Sequence, residues 1–209
     1  MPHLIDYSLY LVISQSDCLG RDVFQVLEQA VSGGVSLVQL REKTMPTRDL
    51  VALAKRMKAF LDQHNIPLII NDRVGVALAV DADGVHVGQE DMHPLDVRPL
   101  IGAHRILGLS INTQDQLSEA RTLPVDYLGI GPIFSTQTKK DCKPVLGLQG
   151  LSAMCRKARM PVVGIGGIKQ ENAKQVIDAR ADGIAVVSAI CGAQSPQEAA
   201  AELRHLITR

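Results

Sequence analysis

Short apolar runs alternate with amphipathic stretches along almost the whole chain. The runs occupy residues 9–14, 37–41, 67–72, 84–89, 106–111, 127–134, 161–167 and 183–190. They are apolar on both faces, which is typical of buried parallel strands rather than of strands with one face in water. The pattern therefore predicts eight strands, each followed by a turn and a helix.

The segments between the runs have the spacing of amphipathic helices. Residues 48–61 and 171–180 each place their apolar side chains on one helical face. These side chains are Leu50, Leu53, Ala54, Met57 and Leu61 in the first segment and Ala173, Val176 and Ile177 in the second. Thr47 and Thr113 stand directly before helical segments, so we expect both to be N-caps.

Eight strand–helix units predict an α/β protein, a (β/α)8 TIM barrel, as a single compact domain over residues 1–209. The structural alternative is a doubly wound open sheet, which usually has fewer strands and a Gly-x-Gly-x-x-Gly turn after the first of them. That turn is absent from this sequence. No linker, low-complexity tract or change of composition divides the chain.

Charge and composition exclude several classes of function. Lys+Arg and Asp+Glu both number 22, aromatic residues make up 3% of the chain, and Trp is absent. Nucleic-acid binding needs a basic surface or stacking aromatics, so no nucleic acid is expected as a partner. No apolar run is long enough to span a membrane, and "MPHLIDYSLY" lacks the layout of a signal peptide. The scattered cysteines, without a C-x-x-C pair, favour reduced thiols and a cytoplasmic location.

The residues at or just after the C-terminal ends of the predicted strands are mostly polar or small. They are Gln39, Arg41 and Lys43 after the second strand, Asn71 and Asp72 after the third, Gln89, Glu90 and Asp91 after the fourth, Ser110 and Asn112 after the fifth, the stretch 135–141 after the sixth, Gly166 and Gly167 after the seventh, and Val187 and Ser188 after the eighth. The opposite strand ends carry mostly Pro, Gly, Asp or apolar residues. Active sites of barrels lie at the C-terminal strand ends, so this rim is the predicted active site.

The residue types on this rim suit phosphorylated ligands. Asp72 and Asp91 are hard oxygen ligands that suit Mg²⁺ together with substrate phosphates, whereas zinc would need His or Cys. Arg41 and the rim lysines suit a diphosphate. The glycine pair at 166–167 and Ser188 occupy the corner where barrels bind a monophosphate. Two facing phosphate sites indicate two phosphorylated substrates that are joined together.

Each motif also has a structural alternative. Residues 41–43 could be a surface salt-bridge run, and Asn71 with Asp72 could cap the third helix. His86 lies inside a strand pattern, where a satisfied core histidine is more common than a catalyst. The functional interpretation depends on the coincidence of all these features on one rim.

Together the motifs resemble those of the thiamine-phosphate synthase family over nearly the whole chain. They are "LYLV", "VQLREK", "IINDR", "DGVHVGQEDM", "GLSIN", "YLGIGPIFSTQTKKD", "PVVGIGGI" and "DGIAVVSAI". Each motif alone is modest, but the set is very specific. The chain departs from the family pattern at Ser135, where Pro is common, and at Ile13 and Ser14, which stand in place of Thr-Asp.

The resemblance implies a role for each matching residue. The pyrimidine diphosphate site comprises Gln39, Leu40, Arg41, Glu42, Lys43, Asn71, Ser110 and Lys139, and the Mg²⁺ ligands are Asp72 and Asp91. The thiazole phosphate site comprises Thr136, Gln137, Thr138, Gly167, Val187 and Ser188. Catalytic roles are implied for Lys139, Arg41, Lys43 and Ser110.

The resemblance further implies a transferase that joins 4-amino-2-methyl-5-(diphosphooxymethyl)pyrimidine to a thiazole phosphate. Its products are thiamine phosphate and diphosphate, formed through Mg-assisted dissociative loss of diphosphate. The sequence leaves two alternatives open, a thiazole tautomerase-like isomerase on the same barrel and a non-catalytic sensor of a phosphorylated ligand. The expected partners are small phosphorylated substrates, and a homo-oligomer is left open.

Overall fold

The strands close into a complete parallel barrel. The computed structural model of the chain describes residues 5–136 and 144–208. The strands are β1 (Leu9–Ile13), β2 (Leu37–Leu40), β3 (Leu68–Asn71), β4 (Gly84–Val87), β5 (Ile106–Ile111), β6 (Tyr127–Ile130), β7 (Val162–Ile165) and β8 (Gly183–Val186). They are hydrogen-bonded in chain order, and β8 pairs with β1 to complete the ring. The predicted (β/α)8 barrel is confirmed as one compact domain, and the open sheet is excluded.

Helices cover the outside of the barrel. They are α1 (Val23–Ser32), α2 (Thr47–Gln63), α3 (Val74–Ala79), α4 (Pro94–Ile101), α5 (Gln114–Ala120), α6 (Gly147–Cys155), α7 (Gln170–Asp178), α8 (Ser188–Cys191) and α9 (Pro196–Ile207), with a 3-10 turn at Ser16–Cys18. The predicted apolar faces of α2 and α7 are buried, apart from Leu53, which is half-buried. In the part of the chain that the structure describes, no helix has the length and apolar character needed to cross a membrane.

One of the two predicted N-caps is correct. The Thr113 side chain accepts a hydrogen bond from the backbone N of Gln116 at 3.2 Å and forms a capping box with that residue. The prediction for Thr47 is wrong, because α2 begins at Thr47 itself and Pro46 is the N-cap. Pro46 has φ −54° and a non-helical ψ of 142°, so it stands just outside the helix, which begins one residue earlier than predicted.

Two apolar runs continue beyond the strands that they contain. β6 ends at Ile130, because Pro132 lacks the N–H group that a continued ladder would need. The chain nevertheless stays against the neighbouring strand, where the Phe134 backbone N donates to Gly166 O at 3.0 Å. The run 183–190 divides in a similar way into β8 and α8.

Alternate strand residues face two different cores. One set packs outward against the helices, and the other fills the barrel interior. The buried interior residues include Tyr10, Val12, Leu37, Ile69, Ile106, Tyr127, Val163 and Ala185. Further along the same strands, with the same inward alternation, come Gln39, Asn71, His86 and Ser110. The barrel is therefore apolar and aromatic at its floor and polar at its C-terminal mouth.

A repeated hydrogen bond closes the N-terminal end of the barrel. The residue just before every second strand has a side-chain oxygen that accepts a hydrogen bond. The donor is the backbone N–H of a residue at or near the start of the preceding strand. The pairs are Ser36 Oγ with Leu9 N at 3.1 Å, Asp83 Oδ2 with Leu68 N at 2.8 Å, Asp126 Oδ2 with Leu107 N at 2.7 Å, and Asp182 Oδ2 with Val162 N at 2.8 Å. These acceptors satisfy strand donors that have no partner inside the sheet.

Candidate active site

Three residues of the predicted pyrimidine diphosphate site, Gln39, Asn71 and Ser110, lie on the inner wall of the barrel at its C-terminal mouth. Asn71 on β3 is level with His86 on β4, and Ser110 on β5 is level with Gly129 on β6. Gln39 and His86 are buried, whereas Asn71 and Ser110 are half-buried. Gln39, Asn71 and Ser110 therefore all face the space into which a ligand would enter.

Leu40 and Glu42, which are also predicted site residues, are engaged elsewhere. The Leu40 side chain is 1% exposed and belongs to the outer core, so a contact with a ligand in the mouth is limited to its backbone. Glu42 Oε1 accepts a hydrogen bond from the Gln15 backbone N at 2.5 Å. Ser14, which replaces an aspartate of the family pattern, is buried and donates to Asp17 Oδ2 at 2.6 Å.

Two carboxylates meet at the ends of β3 and β4. The Asp72 and Asp91 side chains lie within hydrogen-bonding reach of each other, and Asp91 Oδ2 also accepts the Gly88 backbone N–H at 2.7 Å. The Lys43 ammonium donates to the Asp72 carboxylate. Asp72 does not cap α3, since the N-cap of that helix is Arg73 and no side chain bonds to it there. The helix-cap alternative for this stretch is therefore wrong.

The two carboxyl groups have opposite pKa shifts. Burial raises the pKa of Asp72 above its ordinary value of 3.8, and the hydrogen bond with Asp91 raises it further, against the charge of Lys43. Burial also raises the pKa of Asp91, but the bonds from Asp72 and Gly88 and the Lys43 charge outweigh it, so that pKa lies below 3.8. When both groups are ionised they repel each other, and a cation bound between them would relieve the repulsion.

The donor set of the carboxylate pair fits Mg²⁺. This ion usually binds proteins through one or two carboxylates and completes its shell with water and substrate phosphate oxygens. Within residues 5–136 and 144–208, no three His, Cys, Asp or Glu side chains are placed to bind a metal by themselves. The pair formed by Asp72 and Asp91 would therefore hold Mg²⁺ together with a phosphate rather than as a closed protein site.

An arginine that the sequence analysis missed fastens the loop that carries Lys43. Arg73 Nη1 donates to Met45 O at 2.9 Å, and Arg73 Nη2 donates to Lys43 O at 3.1 Å. The position directly after Asp72 in "IINDR" was the available signal. Arg41 is half-buried at the end of β2, where its backbone N donates to Ile13 O at 2.9 Å.

The glycine pair after β7 supports the chain that leaves β6. Gly166 and Gly167 have φ values of 99° and 66°, in the region that favours glycine. A side chain at Gly167 would place its Cβ 2.5 Å from Ser135 O. Asn172 Nδ2 donates to Gly167 O at 3.1 Å and fixes the turn from the helix side.

The predicted phosphate residues that the structure describes follow β6 and β8, the strands on either side of β7 and its turn. Thr136 is half-buried beside it, Val187 precedes α8, and the exposed Ser188 is the first residue of that helix. The remaining predicted residues of the loop lie outside the described residues. They are Gln137, Thr138 and Lys139.

A chain of side-chain hydrogen bonds crosses the barrel below the mouth. Gln39 Nε2 donates to the Tyr10 hydroxyl at 2.7 Å, and the Tyr10 and Tyr127 hydroxyls are 2.8 Å apart. His86 Nδ1 lies 2.8 Å from the Tyr127 hydroxyl, and His86 Nε2 lies 2.8 Å from Ser110 Oγ. The prediction of a satisfied core histidine is confirmed for His86. The tyrosines were missed, although both interrupt apolar strand runs at inward positions.

A closed barrel with a carboxylate pair and cations on one side of its mouth and a glycine turn on the other belongs to the class of (β/α)8 barrels with polar groups gathered at the C-terminal mouth. Comparison with known proteins specifies the family. The family model described as thiamine monophosphate synthase matches residues 9–190, and the chain belongs to this family. The predicted family is confirmed, as is the prediction of an enzyme, a transferase of thiamine biosynthesis.

Individual relatives agree along nearly their whole length. A thiamine-phosphate synthase from Syntrophomonas wolfei is 46% identical over 205 residues, with 98% of each chain covered. One from Albidiferax ferrireducens is 50% identical over 199 residues, covering 95% of this chain and 91% of that protein.

Solved structures give the same result. The thiamine phosphate pyrophosphorylase of Pyrococcus furiosus superposes with a TM-score of 0.89 at 34% identity, covering 97% of this chain and 96% of that one. A 3-hexulose-6-phosphate synthase, at TM-score 0.70 and 21% identity, shares the fold. The expected cytoplasmic location and the expected absence of a nucleic-acid partner are not addressed by these comparisons and stay predictions.

Proposed function

We propose that the chain joins 4-amino-2-methyl-5-(diphosphooxymethyl)pyrimidine to a thiazole phosphate, forming thiamine phosphate and releasing diphosphate. The observation that carries the proposal is the contact of Lys43 with the Asp72–Asp91 pair on one side of the mouth, with the turn at Gly167 on the other. Membership of the family supports the same reaction.

The proposed bond changes need no general base. The bond from the pyrimidine methylene carbon to the diphosphate oxygen breaks, and its electron pair leaves with the diphosphate. The thiazole nitrogen then uses its own lone pair to form the new C–N bond. No proton leaves that nitrogen, so the mouth has to manage charge rather than protons.

The cations of the rim would stabilise the departing diphosphate. Arg41 and Lys43 are positioned on the loop after β2, and Lys139, from outside the described residues, is assigned here by the family resemblance. Preorganised charges of this kind lower the barrier where negative charge develops. Mg²⁺ held by Asp72 and Asp91 would supply further neutralisation of the diphosphate when bound.

We assign the inner wall to the pyrimidine and the glycine turn to the thiazole phosphate. Gln39, Asn71 and Ser110 present amide and hydroxyl groups suited to the ring edge. The backbone at Gly167 and the hydroxyl of Ser188 suit the phosphate, because its charge does not change during the reaction and needs only steady hydrogen bonding. Thr136, Gln137, Thr138 and Val187 complete the assignment on the family resemblance.

The order of events is proposed to be dissociative, with diphosphate leaving before the thiazole nitrogen attacks. An aminopyrimidine ring is electron-rich and can carry a positive methylene, and the rim concentrates groups that suit the leaving anion. Replacing the pyrimidine methyl group by trifluoromethyl should then slow single turnover by roughly a thousandfold or more. A slowdown below about tenfold would contradict this order.

The experiment that tests the activity is diphosphate release with both substrates, with product analysis. We expect equal amounts of diphosphate and thiamine phosphate. Lys43→Ala should lose most activity, whereas Lys174→Ala is a matched control, because Lys174 lies on α7, pairs with Asp178 and is exposed. A tautomerase would isomerise a thiazole without releasing diphosphate, and a sensor would bind without turnover. Either result would contradict the proposal.

A further inference from the structure

The hydrogen-bond chain below the mouth joins two predicted substrate-binding residues that lie on opposite parts of the inner wall. We propose that Tyr10, Tyr127 and His86 are positioning residues, acting as one polarised chain. This chain orients the Gln39 amide at one end and the Ser110 hydroxyl at the other. The inference rests on the proposed function, since it assigns the groups that hold the pyrimidine.

The proposed direction of the hydrogen-bond chain starts from Gln39, the member whose donor atom is fixed. A Gln amide nitrogen only donates, so the Tyr10 oxygen accepts from Gln39. In the proposed chain Tyr10 gives its single hydrogen to Tyr127, and Tyr127 in turn gives its hydrogen to His86 Nδ1. With a neutral imidazole, this direction places the His86 proton on Nε2, which donates to Ser110 Oγ.

This direction fixes what the two ends offer to a ligand. Gln39 donates an amide hydrogen to Tyr10, and its side-chain carbonyl oxygen can accept a hydrogen bond from the ligand. Ser110 Oγ has accepted from His86, so its hydroxyl hydrogen remains as a donor. Gln89 Nε2 also donates to the Ser110 backbone O at 2.8 Å and holds that residue from the rim. An acceptor and a donor match the exocyclic amino group and a ring nitrogen of an aminopyrimidine.

Tight packing holds the side chains of this hydrogen-bond chain in place. Tyr10 is 2% exposed and Tyr127 is 0% exposed. A Cβ at Gly108 would lie 2.2 Å from Tyr127 Cζ and 2.4 Å from His86 Nδ1, so the absence of a side chain there makes room for their contact. Burial raises the pKa of both tyrosines well above its ordinary value, which keeps both hydroxyls available as neutral donors.

Tyr127→Phe tests the chain by removing its central hydroxyl. We expect kcat/KM for the pyrimidine diphosphate to fall about 10- to 100-fold, while KM for the thiazole phosphate stays unchanged. Tyr7→Phe is the matched control: the Tyr7 ring packs on Tyr127 at a centroid distance of 5.0 Å, yet in the described residues no hydrogen bond to its hydroxyl is found. The control should retain its activity. Tyr10→Phe breaks the chain at a second point and serves if Tyr127→Phe does not fold.

A spectroscopic measurement separates positioning from simple packing. NMR of the imidazole nitrogens in the unaltered protein should show His86 with its proton on Nε2, and Tyr127→Phe should mix the two tautomers. A proton on Nδ1 in the unaltered protein, or full activity in Tyr127→Phe and Tyr10→Phe, would overturn the inference. The tautomer does not depend on turnover. A protein that forms no thiamine phosphate but keeps the Nε2 proton would therefore contradict the proposed function and support the chain's direction.

Discussion

The two ends of the barrel use the same residue type in opposite ways. At the N-terminal end, Asp83, Asp126 and Asp182 each accept a backbone N–H from a neighbouring strand. At the C-terminal end, Asp72 and Asp91 are placed against each other, and burial raises the pKa of Asp72. Aspartates of the first kind complete the fold, whereas those of the second kind are the ones that we propose to hold an external cation.

The basic residues at the two ends of the barrel show the same contrast between charges paired within the protein and charges exposed at the mouth. Arg98 at the N-terminal end donates to Asp126 at 2.7 Å and to Pro124 O at 2.9 Å, so its charge is used within the chain. Lys43 at the mouth contacts Asp72 but is half-exposed and free to meet a ligand. Residue type alone therefore does not distinguish a structural charge from one available to a ligand. The groups that each charged side chain contacts make the distinction.

The largest expected effect is on activity at the mouth. Asp91→Ala or Asp72→Ala should lower kcat/KM by about 100-fold or more, equivalent to about 2.7 kcal/mol, because diphosphate charge would lose its neutralisation. EDTA should inhibit the unaltered protein to a similar degree. Thermal melting and steady-state kinetics check both expectations, and full turnover in EDTA would refute the role given to the pair.

The next effect is on stability at the opposite end. Asp182→Ala removes the acceptor of the Val162 backbone N–H, so the free energy of unfolding should fall by roughly 1–3 kcal/mol. Activity in the folded fraction should stay unchanged. Urea unfolding measures the loss, and Asp178→Ala is the control, since its exposed pair with Lys174 is worth at most about 0.5 kcal/mol. Equal losses in both variants would argue against the special role of the N-terminal aspartates.

A smaller effect of opposite sign is expected at Asp72. Its pKa is raised in the folded state, so the folded protein binds that proton more tightly than the unfolded chain does. The associated stability is present below pH 3.8 and is lost as the pH rises through the raised value. Asp72→Asn should therefore raise the free energy of unfolding at pH 7 without metal, as urea unfolding of both proteins would show. A less stable Asn variant would contradict the repulsion.

The smallest effect concerns Asp6, again at the N-terminal end. Burial raises its pKa, but bonds from Ser8 and Arg204 outweigh this and place the pKa below 3.8. Its stabilising contribution is therefore present above pH 3.8 and is lost as the pH falls through the folded value. Asp6→Asn should cost about 0.5 kcal/mol or less at pH 7, because the pair is partly exposed. Urea unfolding at pH 7 and pH 2.5 should show the two proteins converging in acid; a constant difference would exclude the ion pair as the cause.

The strand pattern was sufficient to predict the fold and the inner wall of the site. Two-residue alternation places Gln39 two positions beyond Leu37, and Asn71 two beyond Ile69, so their direction into the barrel follows from the strand itself. The meeting of Asp72 with Asp91 also follows, since both succeed adjacent strands. The end of β6 did not follow, because the run remains apolar beyond Pro132, which has no N–H group to donate to the ladder.

Contacts between distant inward residues were not predictable. Tyr10 and Tyr127 are 117 positions apart, and whether two tyrosines in apolar runs touch depends on the stagger of a closed barrel. Gly108 did not predict the contact between Tyr127 and His86 either, since a glycine within a strand can have several structural reasons. Pattern alone reports which face a side chain takes, and only three-dimensional packing reports what it meets there.

The hydrogen bonds at the N-terminal end of the barrel also describe how the chain is divided into modules. Each of the four bonds stays within one pair of consecutive strands, from β1–β2 to β7–β8. A cut in the chain between β4 and β5 would sever none of them and would leave two such modules in each half. The barrel can thus be described as four similar quarter units, each tied at its N-terminal end by one bond between its two strands.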